Sequence, residues 1–318
     1  MQEKLLELLK KKHDYISGED ISSGLGISRQ ALWKHIQELR DSGYDIVAVP
    51  HLGYKLDSVP DRLFPQEIQH KLSTKFIGKK INYFDKVSST MDEAMQMGMN
   101  GAPEGSLVIA ESQGKGRGRL GRFWDSPKYK GIYLSLILRP DISPNHCPTL
   151  TLLAAVSICE AVNLVCGLDC HIKWPNDILI HHKKVAGILT ELNAEMDRVS
   201  FVLIGIGLNV NNEKKDLVSG ATSLKEQKKE DVNRIELLQE LLRRIEENYV
   251  IFQKEGPQII LDKWRKNSLT LGERVKVACQ KEHLEGEAVD IDSDGGLLIR
   301  KDSGIIEKVM SGDVVHCR

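Results

Sequence analysis

The sequence predicts an α+β protein with an N-terminal winged helix-turn-helix, a central mixed β-sheet with helices, and a small C-terminal SH3-like β-barrel. Three patterns support this prediction. Two short amphipathic helices flank a glycine turn near the N-terminus, and apolar strand-like runs alternate irregularly with helical ones in the centre. Short strands separated by Gly- and Asp-rich turns occupy the last part of the chain. We therefore expect domains at 1–60, 63–270 and 271–318.

The composition is that of an ordinary globular protein. Of the 318 residues, 41% are hydrophobic and 28% are charged, and the formal net charge is −1. This balance gives no whole-chain attraction to nucleic acid, so DNA binding would have to come from one local face. The charged N-terminal stretch lacks the apolar region of a secretory signal, no transmembrane run is apparent, and the six cysteines show no paired spacing. We expect a cytoplasmic protein with free thiols and no membrane contact.

The N-terminal pattern is that of a helix-turn-helix with a wing. The run Ser17–Asp20 has the S-x-x-D form of a capping box and opens one helix, which Gly26 ends. Ser28 can cap the next helix, from Arg29 to Leu39, whose apolar residues recur at helical spacing. The strand-like runs YDIVAV and YKL then predict a small hairpin, the wing.

The helix that starts after Ser28 presents side chains of the kinds that reach base edges and phosphates in the major groove. We assign DNA binding to Ser28, Arg29, Gln30, Lys34 and Gln37. Residues 1–60 nevertheless carry eight Lys and Arg against nine Asp and Glu, so a winged helix used for protein contact or dimerisation is an alternative. Trp33 neighbours the apolar stripe, and we expect it to be partly core.

The central region reads as strands and helices around one unusual loop. A linker at 57–65 precedes a helix at 66–72, and a later helix can be capped by Ser88, Ser89 or Thr90, hydroxyls that suit a polar ligand equally well. Strands enter and leave the loop, the apolar run 151–165 predicts a helix across the sheet, and 171–192 predicts two strands around a His181–Lys184 turn. A long helix from Asn233 to Gln253 closes the domain.

The loop Gly114–Trp124, GKGRGRLGRFW, is built to hold an anion. Its four glycines allow backbone N–H groups to approach a phosphate closely, and between them stand one lysine and three arginines. Arginine grips phosphate or carboxylate oxygens bidentately, and cations this close should repel one another until an anion arrives. A solvated basic turn and a nucleic-acid contact are the alternatives.

The remaining chemistry favours charge neutralisation over covalent catalysis by the protein. The run Lys173–Asp177 and the strand-edge Lys184 add amines, an amide and a carboxylate, whereas no Ser-His-Asp set, Cys-His set or metal cluster is legible. No P-loop occurs, and GIGLNV lacks the last glycine of the dinucleotide fingerprint. The inventory suits attack of a carboxylate on the α-phosphate of ATP, with Trp124 able to stack on a base.

Three runs in this order resemble the signature motifs of biotin-protein ligases: Gly116–Arg122, Lys173–Asp177 and Lys184–Leu192. With the winged helix and the barrel, the chain is identified as a member of the bifunctional bacterial type, a ligase and biotin operon repressor with a class II synthetase-like catalytic domain. The resemblance implies that biotin and ATP form biotinyl-5′-AMP, and that the biotinyl group passes to a lysine of a biotin carrier protein. The carrier of acetyl-CoA carboxylase is the first candidate acceptor and pyruvate carboxylase the second.

The resemblance also implies Mg²⁺, operator DNA as a partner, and a homodimer in the adenylate-bound state. By position, the implied catalytic residues are Lys184, Arg119 and Asp177, with Asp177 taking a proton from the incoming lysine. The implied biotin contacts are Ser89, Thr90, Gln113, Arg117, Gly118, Arg119 and Lys184. The implied nucleotide contacts are Arg122, Trp124, Asn176 and Asn209. No metal ligands are assigned.

Met91 departs from the family pattern, which has a polar residue after Ser-Thr. Two alternatives stay open: a ligase for another acid such as lipoate, and a biotin-sensing regulator that no longer catalyses. The chain lacks A-M-K-M, the acceptor signature, so we expect the enzyme and not the carrier.

Overall fold

The structure is a computed structural model that describes residues 1–12, 14–195, 198–279 and 282–316. It divides into two compact units, Met1–Arg62 and Leu63–Arg318. As predicted, the thiols of Cys147, Cys159, Cys166 and Cys170 are free, and they are buried. Burial raises the pKa of the Cys166 thiol to about 11, which keeps it protonated and unreactive at neutral pH. The side chain of Cys279 and all of Cys317 lie outside the described residues.

The first unit is the predicted winged helix-turn-helix. Its elements are helices α1 (Gln2–Lys11), α2 (Gly18–Leu25) and α3 (Arg29–Asp41) and the antiparallel strands β1 (Asp45–Val49) and β2 (Gly53–Ser58). Ser17 Oγ accepts a hydrogen bond from the amide of Asp20 at 3.0 Å. Ser28 Oγ accepts one from the amide of Ala31 at 3.2 Å, so both predicted caps form. Gly26, between α2 and α3, has a φ of 64°, a left-handed conformation that favours glycine.

The apolar stripe of α3 faces inward, as its spacing predicts: Leu32, Ile36 and Leu39 are buried. Trp33 does not face inward: its exposed fraction is 59%, so the prediction that it is partly core is wrong. Successive residues of an α-helix are rotated by about 100°, so a residue directly after Leu32 points away from the stripe.

The second unit is built on a seven-stranded mixed sheet. Its strands are β3 (Ile81–Phe84), β4 (Leu107–Ala110), β5 (Ile132–Leu138), β6 (His171–Lys173), β7 (Asp177–Ile180), β8 (Lys183–Glu195) and β9 (Arg198–Leu208). The order across the sheet is β3-β4-β5-β9-β8-β7-β6, and only the β3–β4 pair is parallel. The predicted α+β class is confirmed.

The sequence predicted two strands in 171–192, and the structure has three. The connection between β7 and β8 is only His181 and His182, both with positive φ, as in a two-residue hairpin turn. Lys183 and Lys184, predicted to lie in the turn, instead begin β8. Pro175 and Asn176 separate β6 from β7, as their turn character predicts.

Six helices are described in this unit, and α6 packs on the sheet as its apolar pattern predicts. They are α4 (Pro65–Gln69), α5 (Thr90–Met99), α6 (Cys147–Cys166), α7 (Leu224–Lys228), α8 (Arg234–Glu255) and α9 (Gln258–Asn267). α6 contacts α8, α9 and four strands, while α5 contacts β4, β5 and β9 in a smaller core cluster. The helix predicted at 66–72 ends earlier, at Gln69, and Lys71 has a φ of 68° that no α-helix can continue.

Contrary to the expectation from the sequence, the described residues contain one run long and apolar enough to cross a membrane. It is Pro144–Cys166, with a mean hydropathy of 1.9 over its most apolar window. In the fold, 78% of that window is buried, because α6 packs between the sheet and its neighbouring helices. Most of its apolar surface therefore belongs to the core, while Leu164 is exposed.

The C-terminal strands form one five-stranded antiparallel sheet. They are β10 (Arg274–Cys279), β11 (Glu282–Ile291), β12 (Leu297–Arg300), β13 (Ile306–Val309) and β14 (Asp313–His316), in the order β13-β12-β11-β10-β14. Within the described residues β13 and β14 do not pair, so backbone hydrogen bonds do not close the predicted barrel. Apolar residues of this sheet, such as Val275 and Ile299, belong to the same core cluster as α6 and α8.

One fully buried ion pair ties several segments together. Arg234, at the start of α8, donates to Glu111 at 2.9 Å, and neither side chain is exposed. Arg234 also donates to the carbonyl of Gly131 just before β5 (2.9 Å). Glu111, just after β4, accepts from the amide of Leu63 (2.7 Å). This ion pair therefore joins the start of the second unit at Leu63, the ends of β4 and β5 that face the loop, and the start of α8.

We expect Arg234→Met to lower the free energy of unfolding by about 3–5 kcal/mol, because it leaves the carboxylate of Glu111 buried without its cation. Chemical denaturation followed by circular dichroism measures this loss. The control is Arg300→Met, which removes an exposed partner of Glu287 and should cost less than about 1 kcal/mol. Equal, small losses in both variants would contradict the anchoring role.

Candidate active site

A cavity of about 430 Å³ lies over one face of the seven-stranded sheet. Four segments far apart in sequence form its walls: the glycine-arginine loop, the run Lys173–Asp177, part of 216–221, and 313–315 of the C-terminal sheet. The start of α5 closes one end. The cavity therefore collects the three runs that the sequence singled out and adds two that it did not.

The floor of the cavity is a glycine surface on β8 and β9. Gly187 and Gly207 are direct partners across the two strands, and the indole of Trp124 lies against both. A Cβ on Gly207 would come within 2.4 Å of this indole, and one on Gly187 within 3.0 Å. Gly205, two residues earlier on the same face, takes Met91, whose sulfur would lie 2.7 Å from such a Cβ. Only glycine permits these contacts.

The Met91 contact explains the apolar residue at the position where the family pattern is polar. Its side chain is buried and completes the floor beside Gly205.

The end of the cavity at α5 is rich in hydrogen-bonding groups. Gln113 Oε1 accepts from the amide and the hydroxyl of Thr90, at 2.9 and 3.1 Å, and its Nε2 donates to Ser126 Oγ at 3.0 Å. Ser89 stands at the N-cap position of α5, but its side chain makes no capping hydrogen bond. Ser89 is 1% exposed, and its hydroxyl has no partner in the described structure. A buried hydroxyl without a partner at a cavity wall favours the ligand role over the capping role.

Lys184 and Asp177 form a charged pair in the middle of the cavity. The Lys184 ammonium lies 2.6 Å from Asp177 Oδ1, and both side chains are about one-third exposed (34% and 27%). The same ammonium lies 5.4 Å from the ring centroid of Trp124. Both residues sit at the beginnings of their strands, β8 and β7, which places an amine and a carboxylate together beside the glycine floor.

The arginines of the loop are held in place by other segments. Arg119 donates to Asn176 Oδ1 at 3.3 Å and to the carbonyl of Gly312 at 3.2 Å. Arg122 pairs with Asp313. Burial lowers the pKa of Arg119 from its usual value, but arginine stays charged at any physiological pH.

Arg117 is held on the other side of the loop, where it pairs with Asp92 at 2.8 Å and lies 3.6 Å from Glu191. The loop itself is closed by backbone hydrogen bonds, from Gly118 to Arg122 and from Trp124 to Gly116. The sequence predicted cations that repel one another until an anion arrives. In the structure Arg117 and Arg122 instead have carboxylate partners from distant segments, which sequence spacing cannot reveal.

The two asparagines assigned to the nucleotide also hold backbone. Asn176 Nδ2 donates to the carbonyl of Ile188 at 2.8 Å, and Asn209 Nδ2 donates to the carbonyl of Thr222 at 3.1 Å. Asn176 thus joins the Lys173–Asp177 run to β8, and Asn209 joins the end of β9 to the loop before α7. Both residues line the cavity.

Comparisons with known proteins agree with this arrangement. Residues 83–209 match the model of the biotin/lipoate A/B protein ligase family, 1–55 match that of an HTH domain, and 270–317 match that of the biotin protein ligase C-terminal domain. The bifunctional ligase/repressor BirA of Bacillus subtilis is 41% identical over 99% of this chain and 98% of its own. The chain belongs to the family of bifunctional biotin protein ligase/repressors.

More distant members of the biotin protein ligase family extend the match. The bifunctional ligase/repressor BirA of Escherichia coli is 31% identical over 98% of this chain and 95% of its own. A biotin protein ligase from Aquifex aeolicus, solved with biotin and ATP, superposes with a TM-score of 0.65 at 31% identity, covering 76% of this chain and 99% of that one. The predicted family, fold class and ligase activity are confirmed.

The structure of this biotin protein ligase brings together at one cavity all the residues predicted to touch biotin or nucleotide. They are Ser89, Thr90, Gln113, Arg117, Gly118, Arg119, Arg122, Trp124, Asn176, Asp177, Lys184 and Asn209. The individual contacts assigned to them remain predictions. The described residues contain no group of three or more His, Cys, Asp or Glu that could hold a metal ion.

The predicted DNA-binding residues lie in the first unit, on and before α3. Ser28, Arg29, Gln30 and Lys34 are exposed, and Gln37 is half-buried. Arg29 pairs with Glu19 of α2 at 2.7 Å, with both side chains exposed. The Ser28 hydroxyl oxygen already accepts the capping hydrogen bond from Ala31, so a DNA contact through that oxygen would be shared with the cap.

Sequence reasoning missed three parts of the ligase site: the glycine floor, the 216–221 segment and the C-terminal contribution. The glycines of the floor had a signal, because Gly205 and Gly207 are two residues apart in a strand and so share one face. The contribution of the C-terminal residues had no signal in the sequence. Gly312 and Asp313 reach the arginines only because the five-stranded sheet shares a core with the catalytic region, and the last strands carry no chemical motif.

We expect Gly207→Ala to weaken ATP use by about 10-fold to 100-fold, because the added methyl group displaces the indole of Trp124 from the sheet. The measurement is the KM for ATP in adenylate formation. Gly24→Ala is the control, since a Cβ there meets nothing within 4 Å. An unchanged KM for ATP in Gly207→Ala would show that the glycine floor does not position Trp124 for the nucleotide.

Proposed function

We propose that this ligase activates biotin as biotinyl-5′-AMP and transfers it to a lysine of a biotin carrier protein, such as that of acetyl-CoA carboxylase or pyruvate carboxylase. The observation that carries the proposal is the set of groups that one cavity brings together. The buried, unpartnered hydroxyl of Ser89 and the side-chain amide of Gln113 line the same cavity as the cations Lys184 and Arg119. A polar uncharged ring fits the hydrogen-bonding groups, and its carboxylate tail then meets the cations that a phosphate also needs.

Both chemical steps balance with the groups present in the two substrates. In the first, a carboxylate oxygen of biotin attacks the α-phosphorus of ATP, and the bond to the leaving pyrophosphate breaks. In the second, the amine of the carrier lysine attacks the activated carbonyl carbon, and AMP leaves with the oxygen. The protein contributes position and charge.

Lys184 and Asp177 are assigned to opposite needs of these steps. The ammonium of Lys184 offsets the negative charge that gathers on the carboxylate and phosphate oxygens, with Arg119 as a second cation. When Lys184 turns to the ligand, Asp177 loses its 2.6 Å partner. Its carboxylate is then available to take the proton of the attacking lysine.

The remaining assignments are carried over by position from the family resemblance. Ser89, Thr90, Gln113, Arg117 and Gly118 line the biotin end together with Arg119 and Lys184. Arg122, Trp124, Asn176 and Asn209 surround the nucleotide, with the indole of Trp124 as the stacking surface for adenine. Mg²⁺ is expected to enter as the counterion of the ATP phosphates, whose own oxygens bind it.

The first unit serves as the DNA-binding part of a biotin-responsive repressor. We propose that α3 enters the major groove of operator DNA, that the protein binds as a homodimer when it holds the adenylate, and that it works in the cytoplasm. The exposed polar row on α3 and the free buried thiols support these assignments.

The test of the ligase is transfer of labelled biotin, with ATP and Mg²⁺, to a carrier domain that has or lacks its target lysine. We expect labelling that requires both ATP and the lysine. Binding of biotin and ATP without transfer would instead favour a regulator that no longer catalyses. Lipoate in place of biotin tests the related activity, and the true acid should raise the melting temperature of the protein.

We expect Lys184→Ala to abolish transfer, with a loss of at least about 100-fold, because no other lysine pairs with Asp177 in the described structure. Circular dichroism should show an unchanged fold. Lys183→Ala is the matched control, since the side chain of Lys183 is next to Lys184 in sequence but is exposed and does not line the cavity. Full activity of Lys184→Ala would remove that residue from the mechanism.

We expect Arg29→Ala to weaken operator binding by about tenfold and to leave ligation unchanged, because Arg29 lies on the exposed face of α3 in a separate unit. Band-shift titration on a duplex selected by the full-length protein from a random library, with biotin and ATP present, measures the loss. Lys12→Ala, at the end of α1, is the control. Equal losses of binding and ligation would contradict this division of labour.

A further inference from the structure

Trp174, inside the Lys173–Asp177 run, is tied to the C-terminal region by both of its N–H groups. Its side chain is 2% exposed. The backbone amide donates to Thr270 Oγ1 at 3.0 Å, and the indole Nε1 donates to the carbonyl of Gly295 at 3.0 Å. Thr270 lies just before β10, and Gly295 lies in the turn between β11 and β12. A residue of the catalytic run is thus bonded to the five-stranded sheet.

The turn that receives the indole is firmly built. Asp292 Oδ1 accepts from the amides of Asp294 and Gly296, at 3.0 and 2.8 Å. Lys308 of β13 pairs with both Asp292 and Asp294, and its hydrogen bond lowers the pKa of Asp294. A Cβ on Gly295, whose φ is +82°, would lie 3.0 Å from the side chain of Leu152 in α6, so the turn presses closely on that helix.

The residues that follow Trp174 reach the reacting groups directly. Asn176 accepts from Arg119 and donates to the carbonyl of Ile188, and Asp177 holds Lys184. The run is therefore fixed to the C-terminal turn at one end and supports two cations of the cavity at the other. A displacement of the indole would be passed to these cations along two residues of chain.

We propose that Trp174 is a positioning residue, through which the turn 292–296 of the C-terminal sheet sets the geometry of Asn176 and Asp177 for the reaction. This rests on the proposed roles of Asp177 and Lys184. Trp174 borders the cavity but is 2% exposed, and its hydrogen bond to Gly295 holds the run whose side chains contact the cations. The C-terminal sheet then affects the reaction through Trp174, in addition to its contacts with the arginines through Gly312 and Asp313.

The chain offers a matched control for this hydrogen bond. Trp264 of α9 is fully buried, like Trp174, but its indole Nε1 has no partner in the described structure. Replacement by Phe removes the same atoms at both positions and leaves comparable space in the core. Only at position 174 does it also remove a hydrogen bond and leave a buried carbonyl without its donor.

The experiment compares Trp174→Phe and Trp264→Phe in the full-length protein, with kcat and KM measured for adenylate formation and for transfer to the carrier domain. We expect Trp174→Phe to lower kcat in both steps by about tenfold, through displacement of the run, and to raise the Kd for biotin by a smaller factor, because Arg119 and Lys184 are also assigned to biotin. Trp264→Phe should keep its kcat. Both variants are assayed well below their melting temperatures, so that a difference in stability does not explain a difference in kcat.

A second variant tests the same contact from the turn 292–296, and it replaces Trp174→Phe as the test if that variant fails to fold. Asp292→Ala loosens the turn without touching the cavity, and kcat should fall in the same way. Combined with Trp174→Phe, the loss should be less than the product of the two single losses, because both act on one contact. Equal kcat in the two Phe variants, or a full kcat in Asp292→Ala, would overturn the proposal. Failure of the wild-type protein to label the carrier would instead refute the proposed function.

Discussion

The buried pair of Arg234 and Glu111 is the contact on which the arrangement of the catalytic unit depends. Two charges fully removed from water are tolerated only when each finds a partner, and here the pair also takes up the amide of Leu63 and the carbonyl of Gly131. These groups mark the chain entry, the end of β4, the approach to β5 and the start of α8. The glycine-arginine loop lies between β4 and β5, so the ion pair anchors the chain on both sides of the loop.

The cavity over the sheet follows from a second constraint, the absence of side chains on its floor. Gly187 and Gly207 pair across β8 and β9, so two neighbouring strands leave a flat area large enough for an indole. Trp124 lies on that area and in turn borders the ammonium of Lys184. The loop thus brings its aromatic residue to the same place to which the strands bring the lysine and its carboxylate partner, so an ammonium, a carboxylate and an indole share one site.

The C-terminal sheet is part of the active site as well as a neighbour of it. It contacts the cations of the loop through Gly312 and Asp313, and it contacts the Lys173–Asp177 run through the indole of Trp174. Because its apolar residues belong to the same core as α6 and α8, the sheet cannot shift without disturbing that core. A region without a chemical motif of its own can in this way determine where charged groups of the ligase stand.

The sequence by itself determined the local structure and the kinds of groups available. The caps at Ser17 and Ser28, the wing, the mixed sheet and the cation-rich loop follow from periodicity, turn residues and charge, which are properties of neighbouring positions. Tertiary structure alone decided that Asp313 pairs with Arg122, that the hydroxyl of Ser89 is buried without a partner, and that Trp33 stays exposed. Those outcomes depend on which distant segments meet when a common core forms, and that information does not reside in any short stretch of chain.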